Sequence, residues 1–248
     1  MTTSDVREPT DHARVSVVIP CLNEETAIAQ CVAAVRRHDV GEVIVVDGGS
    51  TDRTVAHASA AGARVVVERR RGYGRALLTG IGTLSPTSDV VLFIDGDGSD
   101  RPEMIPDMLA PILQGQADFV LGSRLLGQRE QGSLAPAQVV AGTLAGLLLG
   151  LRYGVRFTDM SPFRAIRRDV LDRLGMQEKT FGWNLEMQMR VAAARLRILE
   201  VPVGQRKRAG GVSKVSGDLV TAARAASVLV ATFLRLAAIN PPKPGQPT

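Results

Sequence analysis

Five apolar residues, Val90-Val91-Leu92-Phe93-Ile94, run without interruption and stop at Asp95-Gly96-Asp97-Gly98-Ser99-Asp100. A run this long and this rich in β-branched and aromatic side chains is a strand covered on both faces. In extended chain Asp95 and Asp97 can point the same way, with Gly96 between them where a ligand can approach the backbone. Two carboxylates at the mouth of a parallel sheet suit Mg²⁺ or Mn²⁺, and a metal there would neutralise a departing diphosphate. Taken alone, Asp-Gly-Asp reads first as an ordinary polar turn. A calcium-binding helix-loop-helix does not fit, because its sixth position would be Asp100 and its twelfth Pro106, where glycine and glutamate are needed.

The pattern of run, stop and helix recurs along the first half. Residues 15–20, 43–47 and 64–68 read as strands, dominated by valine and isoleucine. A helix over residues 24–37 follows the first, with Asn23 as N-cap and Ala27, Ile28, Cys31, Val32 and Val35 as its apolar face. Gly48-Gly49-Ser50-Thr51-Asp52 opens a second helix through Ala60, and Gly72-Tyr73-Gly74 leads into a third to about Leu84. Pro102 sets the first turn of a helix through Leu113 with a stripe of Ile105, Met108, Leu109 and Ile112. Asp118-Phe119-Val120-Leu121 is one more strand, and residues 198–203 another. Strand alternating with helix over short connections predicts an α/β chain with an open, mostly parallel, Rossmann-like sheet flanked by helices. Ligands bind such sheets at the carboxyl ends of the strands. Residues 20–24, 47–52, 72–75 and 95–99 all fall at those ends, which favours a metal–nucleotide site over a plain turn.

At 248 residues the chain suffices for one domain with an appendage. The expected division is a flexible leader at 1–14, a domain at 15–215, a basic amphipathic helix at 216–240 and a disordered tail at 241–248. Aromatic residues make up only 4% of the chain, which argues against a base-stacking nucleic-acid surface. The net charge of +5 is uneven: from Arg195 onward nine Lys/Arg face two acids, so that stretch carries +7 and the remainder −2. A basic end on a nearly neutral body predicts an anionic partner, either phosphate groups or a membrane surface, or else a solvated helix face. Cys21 and Cys31 form neither a disulfide framework nor a zinc pattern, and residues 1–14 show no secretory signal, which points to a reducing cytoplasm. Residues 133–151 lack charge, but Pro136, Gln138 and several glycines weaken them as a bilayer span, so a surface-lying or core helix is expected. In the last helix, residues 218–239, Arg224 and Arg235 share one face amid Val228, Leu229, Val230, Phe233 and Leu234. This suits a membrane interface or packing on the protein's own body.

Three ordered segments carry a resemblance: Val17-Val18-Ile19-Pro20-Cys21-Leu22-Asn23-Glu24-Glu25, Val45-Val46-Asp47-Gly48-Gly49-Ser50-Thr51-Asp52 and Phe93-Ile94-Asp95-Gly96-Asp97. Together they resemble the family 2 glycosyltransferases, inverting enzymes of the GT-A fold, and most nearly the dolichol-phosphate or polyprenyl-phosphate sugar synthases. The resemblance spans about residues 15–214. It implies that Pro20, Leu22 and Glu24 line the base and ribose pocket, that Asp47 holds base or ribose, and that Gly72, Gly74 and Arg75 lie beside the nucleotide. Asp95 and Asp97 become metal ligands, with Gly96 between them and Ser99 as a third. Arg124, Ser161, Arg164 and Lys214 become contacts to acceptor or donor phosphate, and Glu186 a carboxylate near the acceptor. The chain departs from the branch at Gly48, Ser99 and Pro162, where aspartate, glutamine and glycine are common.

The implied function is metal-dependent inverting transfer from a UDP- or GDP-sugar to a polyprenyl or dolichyl phosphate, with Asp97, Arg124 and Glu186 catalytic. Transfer to a small or saccharide acceptor is the alternative, and a non-catalytic nucleotide-sugar-binding protein a third reading. The lipid reading implies a peripheral protein on the cytoplasmic membrane face, with a membrane-protein partner or self-association left open.

Overall fold

The structure is a computed structural model that describes residues 14–209 and 219–238, with side chains at 14–209 and 227–238. The leader at 1–13, Lys214, Arg224 and the 241–248 tail lie outside the described side chains. In chain order the elements are β1 (Val15–Cys21), α1 (Ile28–Arg36), β2 (Glu42–Asp47), α2 (Thr54–Ala60), β3 (Arg64–Val67), α3 (Tyr73–Ile81) and β4 (Val90–Phe93). A 3-10 turn at Pro102–Met104 leads into α4 (Ile105–Leu113), then β5 (Phe119–Ser123), α5 (Pro136–Tyr153), β6 (Arg164–Arg167), α6 (Arg168–Leu174), α7 (Trp183–Ala193), β7 (Ile198–Pro202) and α8 (Leu219–Leu236).

The described strands form one seven-stranded sheet in the order β3-β2-β1-β4-β6-β5-β7. All are parallel except β6, which runs against both β4 and β5. The chain winds outward from β1 through β2 to β3, then crosses back to lay β4 on the other side of β1. That reversal is the topological switch point, where the loops leaving two adjacent strands diverge and open a crevice. The loops after β1 and β4 carry Leu22–Glu24 and Asp95–Asp100, so the expected ligand residues sit at that crevice.

Alternation along the strands sends successive side chains to opposite faces. Val18, Ile44, Val46, Val91, Phe93 and Ile166 pack on one face with α3, α5, α6 and α7. Val17, Ile19, Val43, Val45, Leu92 and Ala165 pack on the other with α1 and α4. The α4 stripe is buried at the four positions expected, Ile105, Met108, Leu109 and Ile112. Gly80 of α3 lies against β1, where a Cβ would come within 2.5 Å of Val18.

Two local features differ from the sequence expectation. Asn23 does not cap α1, which begins five residues later at Ile28, behind Ala27. It takes φ +55°, and its Oδ1 accepts the N–H of Thr51, tying the β1 and β2 loops together. The reversed strand β6 and helices α6 and α7 were not anticipated.

Candidate active site

Asp95 and Asp97 leave the end of β4 as the apolar run predicts, and the structure adds Asp100 to them. The carboxylate of Asp100 folds back to accept the N–H of Asp95 at 2.9 Å, while its other oxygen is buried without a partner. Asp97 Oδ1 accepts the N–H of Ser99 at 2.8 Å. Tyr73, between the two glycines that open α3, donates its hydroxyl to Asp95 Oδ1 at 3.2 Å. Burial, then the charges of Asp97 and Asp100, push the Asp95 carboxyl well above the ordinary carboxylate range. Burial, with Asp97 beside it, pushes Asp100 up to about 7 in spite of the Asp95 N–H. Three acids share a pocket in which their ionised forms repel one another.

That excess of negative charge, together with the unpartnered Asp100 oxygen, fits a divalent cation. Among the described residues no three His, Cys, Asp or Glu side chains are placed to hold a metal ion together. A cation held by Asp95 and Asp97 would therefore complete its shell with substrate phosphate and water, the habit of Mg²⁺. Ser99 has a buried hydroxyl that accepts the side-chain N–H of Gln205 at 3.3 Å.

Across the crevice, Glu24 is buried, with its N–H given to Thr54 Oγ1 at 2.8 Å. Its Oε1 accepts from Arg208 at 2.7 Å, and the same guanidinium reaches Asp97 Oδ2 at 2.8 Å. Pro20 is buried within β1, and Leu22 lies half-buried just past the strand. The buried Asp47 closes its own turn, accepting from the N–H groups of Gly49 and Ser50 at 3.0 Å and from the Ser50 hydroxyl. Gly96 packs against the sheet, where a Cβ would stand 3.0 Å from Ile28 and 3.1 Å from Ile19. Gly72 and Gly74 are explained by the protein itself: a Cβ at either would fall 2.2–2.3 Å from the carbonyl oxygens of Lys179 and Glu178. The loop docks there through Gly74 N–H to Thr180 and Arg75 N–H to Lys179. Arg75 Nε is buried without an acceptor.

Of the residues expected on the acceptor side, Arg124 and Arg164 lie within electrostatic reach of Asp95, but their side-chain bonds are made within the protein. Arg124 forms a buried two-pronged pair with Asp159, Nε to Oδ2 and Nη2 to Oδ1, each 2.7 Å. Burial pulls the Arg124 pKa down, but the Asp159 bonds outweigh it and the group is raised. Arg164 is wholly buried, giving Nε to the Ser161 carbonyl and Nη1 to the Asn184 carbonyl at 3.1 Å. It lies 5.9 Å from the ring centres of Phe119 and Trp183, and burial lowers its pKa to about 10. The Ser161 hydroxyl accepts the Phe163 N–H at 3.2 Å. Glu186 is also fully buried, its carboxylate occupied by the N–H groups of Gln177 and Glu178 and by Arg190.

The structure therefore gathers Glu24, Asp95, Gly96, Asp97 and Ser99 at one crevice and fixes Arg124, Arg164 and Glu186 as buried struts. Sequence reasoning passed over Tyr73, Asp100 and Arg208. Their signals were an aromatic residue between two glycines, a third aspartate after the pair, and the Arg206-Lys207-Arg208 run.

Known proteins resemble this chain along most of its length. The model of Glycosyl transferase family 2 matches residues 16–175. An uncharacterised glycosyltransferase of Mycobacterium tuberculosis is 39% identical over 206 residues, 83% of this chain and 91% of the relative. A dolichyl-phosphate hexose transferase of Haloferax volcanii is 36% identical over 79% of this chain and 84% of its own. Among solved structures, glucosyl-3-phosphoglycerate synthase of M. tuberculosis, in complex with Mn²⁺, UDP-glucose and phosphoglyceric acid, superposes with a TM-score of 0.73. It is 26% identical, over 97% of this chain and 88% of that one.

Proposed function

Since the chain belongs to glycosyltransferase family 2, we propose that it moves a hexosyl group, with inversion, from a nucleoside-diphosphate sugar to a polyprenyl phosphate. Asp95 and Asp97 are assigned to a divalent cation, Mg²⁺ or Mn²⁺, which when bound would neutralise charge on the departing diphosphate. The hydroxyl of Tyr73 and the N–H of Ser99 hold the two carboxylates in place. Arg75, its Nε lacking an acceptor, is assigned to the donor's diphosphate. The rigid Ser161–Arg164 loop and the Arg124–Asp159 pair shape the acceptor side without offering a free charge.

One observation carries the lipid acceptor. On α5, Val140, Leu144, Leu147 and Leu151 follow helical spacing and are 48–78% exposed, and on α8 Val230 and Leu234 are 59% and 68% exposed. The C-terminal ends of the two helices adjoin, since Arg152 and Tyr153 of α5 donate to the carbonyls of Ala237 and Leu236. Among the described residues no helix is long and apolar enough to cross a membrane. An apolar stripe on such a helix suits a lipid surface. A phosphate acceptor is already ionised near neutral pH and needs no strong base. That agrees with Glu186 being fully engaged.

The solved structures favour a second reading, a small phosphorylated or saccharide acceptor. The likeness to glucosyl-3-phosphoglycerate synthase covers nearly the whole chain, and that enzyme was solved with phosphoglyceric acid bound. A transfer assay separates the two. Purified protein, Mn²⁺ or Mg²⁺ and labelled UDP- and GDP-sugars are incubated with a short polyprenyl phosphate or with phosphoglyceric acid, with Asp97→Asn as control. Label entering the organic phase, and lost in the control, is expected. Label confined to a water-soluble product would transfer the assignment to the small-acceptor reading.

A further inference from the structure

After β7 the chain turns across the end of β4 and is fastened there. The side-chain amide of Gln205 donates to Ser99 Oγ at 3.3 Å, the N–H of Arg206 to the Ser99 carbonyl at 2.9 Å, and the N–H of Ala209 to the Asp97 carbonyl at 3.2 Å. Gly98, at φ +77°, lets the strap lie close, since a Cβ there would stand 3.4 Å from that of Ala209. The strap carries Arg208 into the acidic crevice. Its Nη2 donates to Glu24 Oε1 at 2.7 Å and its Nη1 stands 2.8 Å from Asp97 Oδ2. The two acids are 6% and 8% exposed, and Arg208 Nε is buried without an acceptor.

We propose that Arg208 is a counter-ion latch. It neutralises Glu24 and Asp97 in the free enzyme, and it lets go of Asp97 when a divalent cation enters together with a nucleoside diphosphate. The proposal rests on the metal–nucleotide assignment above. Asp97 Oδ1 already accepts the Ser99 N–H, and Oδ2 holds the guanidinium. A divalent ion on this carboxylate would therefore lie within a few ångströms of a fixed positive charge. Like charges at such a distance shift a binding equilibrium by about one to three decades. Metal arriving alone must overcome that repulsion. Metal arriving with a diphosphate brings an anion whose oxygens can accept the released guanidinium, including its unsatisfied Nε. Arg208 would thereby couple the two ligands and keep the site from loading with metal alone.

The test is Mn²⁺ binding, followed by the paramagnetic resonance of the free ion, with and without UDP or GDP. The full-length wild type is compared with Arg208→Gln, Arg208→Lys and Asp97→Asn. The latch predicts that Arg208→Gln takes up Mn²⁺ alone at least about tenfold more tightly than wild type. The enhancement by nucleoside diphosphate should shrink by the same factor, and Arg208→Lys should stay near wild type. Equal Mn²⁺ affinity in wild type and Arg208→Gln, with diphosphate enhancing both alike, would overturn the latch while leaving the metal site standing. No difference between wild type and Asp97→Asn under any condition would remove the metal assignment, and the latch with it.

Discussion

Replacing Glu186 by glutamine distinguishes a strut from a catalytic base, because the two roles predict opposite outcomes. The side chain is fully buried and accepts the N–H of Gln177 at 3.0 Å, that of Glu178 at 2.6 Å and Arg190 Nε at 2.9 Å. An amide has a single acceptor oxygen. Turned toward the two backbone N–H groups, it points its NH₂ at Arg190, donor against donor. The charge-assisted bond to Arg190 is then lost, worth about 1.5–3 kcal/mol, and the other two weaken as their acceptor becomes neutral. Arg190 keeps its bond to the Leu174 carbonyl and is 17% exposed, so water offsets part of the loss. The net cost is about 2–4 kcal/mol, below that of stripping a buried pair outright. For a domain of this size it lowers Tm by about 5–15 °C. Circular dichroism melts give the shift. Turnover at 25 °C, normalised to folded protein, should remain within about threefold of wild type, with an unchanged pH profile. A loss of more than about 100-fold in turnover with Tm unmoved is the signature of general-base catalysis and would refute the reasoning.

Three further outcomes follow from other sites. Asp118, bonded by Arg197 through Nε and Nη2 and reached by Arg167, has its carboxyl held at about 2, chiefly by the Arg197 bond. Its folded pKa lies below the unfolded value, so its stabilisation is present above about pH 4 and lost as pH falls toward 2. Because Arg197 is half exposed, Asp118→Asn should cost only about 1 kcal/mol at pH 7, and it should flatten the acid limb of a Tm–pH curve between those values. Tyr73→Phe removes the donor to Asp95, worth about 1 kcal/mol, and should raise the Mn²⁺ needed for half-maximal transfer about fivefold with little change in Tm. An unchanged Mn²⁺ requirement would deny Tyr73 its positioning role. Leu144→Glu with Leu151→Glu should abolish co-sedimentation with anionic vesicles while leaving the melt intact, and retained sedimentation would exclude the α5 stripe as the lipid-facing surface.

The half that holds β1 to β4 was legible because its determinants are local. Runs of valine with isoleucine, or with leucine and phenylalanine, mark β1, β2 and β4, and the α4 stripe is read residue by residue from a 3.6 period. The far half hides the same physics. Helix α7 buries Glu186 and Gln188 alongside Trp183, so its inner face carries no apolar period. Strand β6 is four residues bracketed by arginines, and Arg164, a residue type expected at the surface, is among the most deeply buried side chains. These become strand and helix because tertiary partners exist: carbonyls for Arg164 and backbone N–H groups for Glu186. At the site, Asp95 and Asp97 declared themselves by spacing. Arg208 did not, because it meets Glu24 across 184 residues of chain.

The reversed direction of β6 affects how such a protein can diversify. In a wholly parallel sheet each strand sends only its following loop to the ligand edge. A reversed strand delivers the loop that precedes it, and Arg164 of β6 stands opposite Phe93 of β4. Residues 158–163 therefore arrive beside the aspartates from the opposite end of a long excursion, through α4, β5 and α5. The excursion can lengthen, shorten or change its exposed face while both ends stay pinned to the β4–β6 seam. The residues proposed to hold metal and nucleotide at the ends of β1 and β4 lie outside that excursion. On the proposed assignment, the acceptor side can change while the donor side is kept.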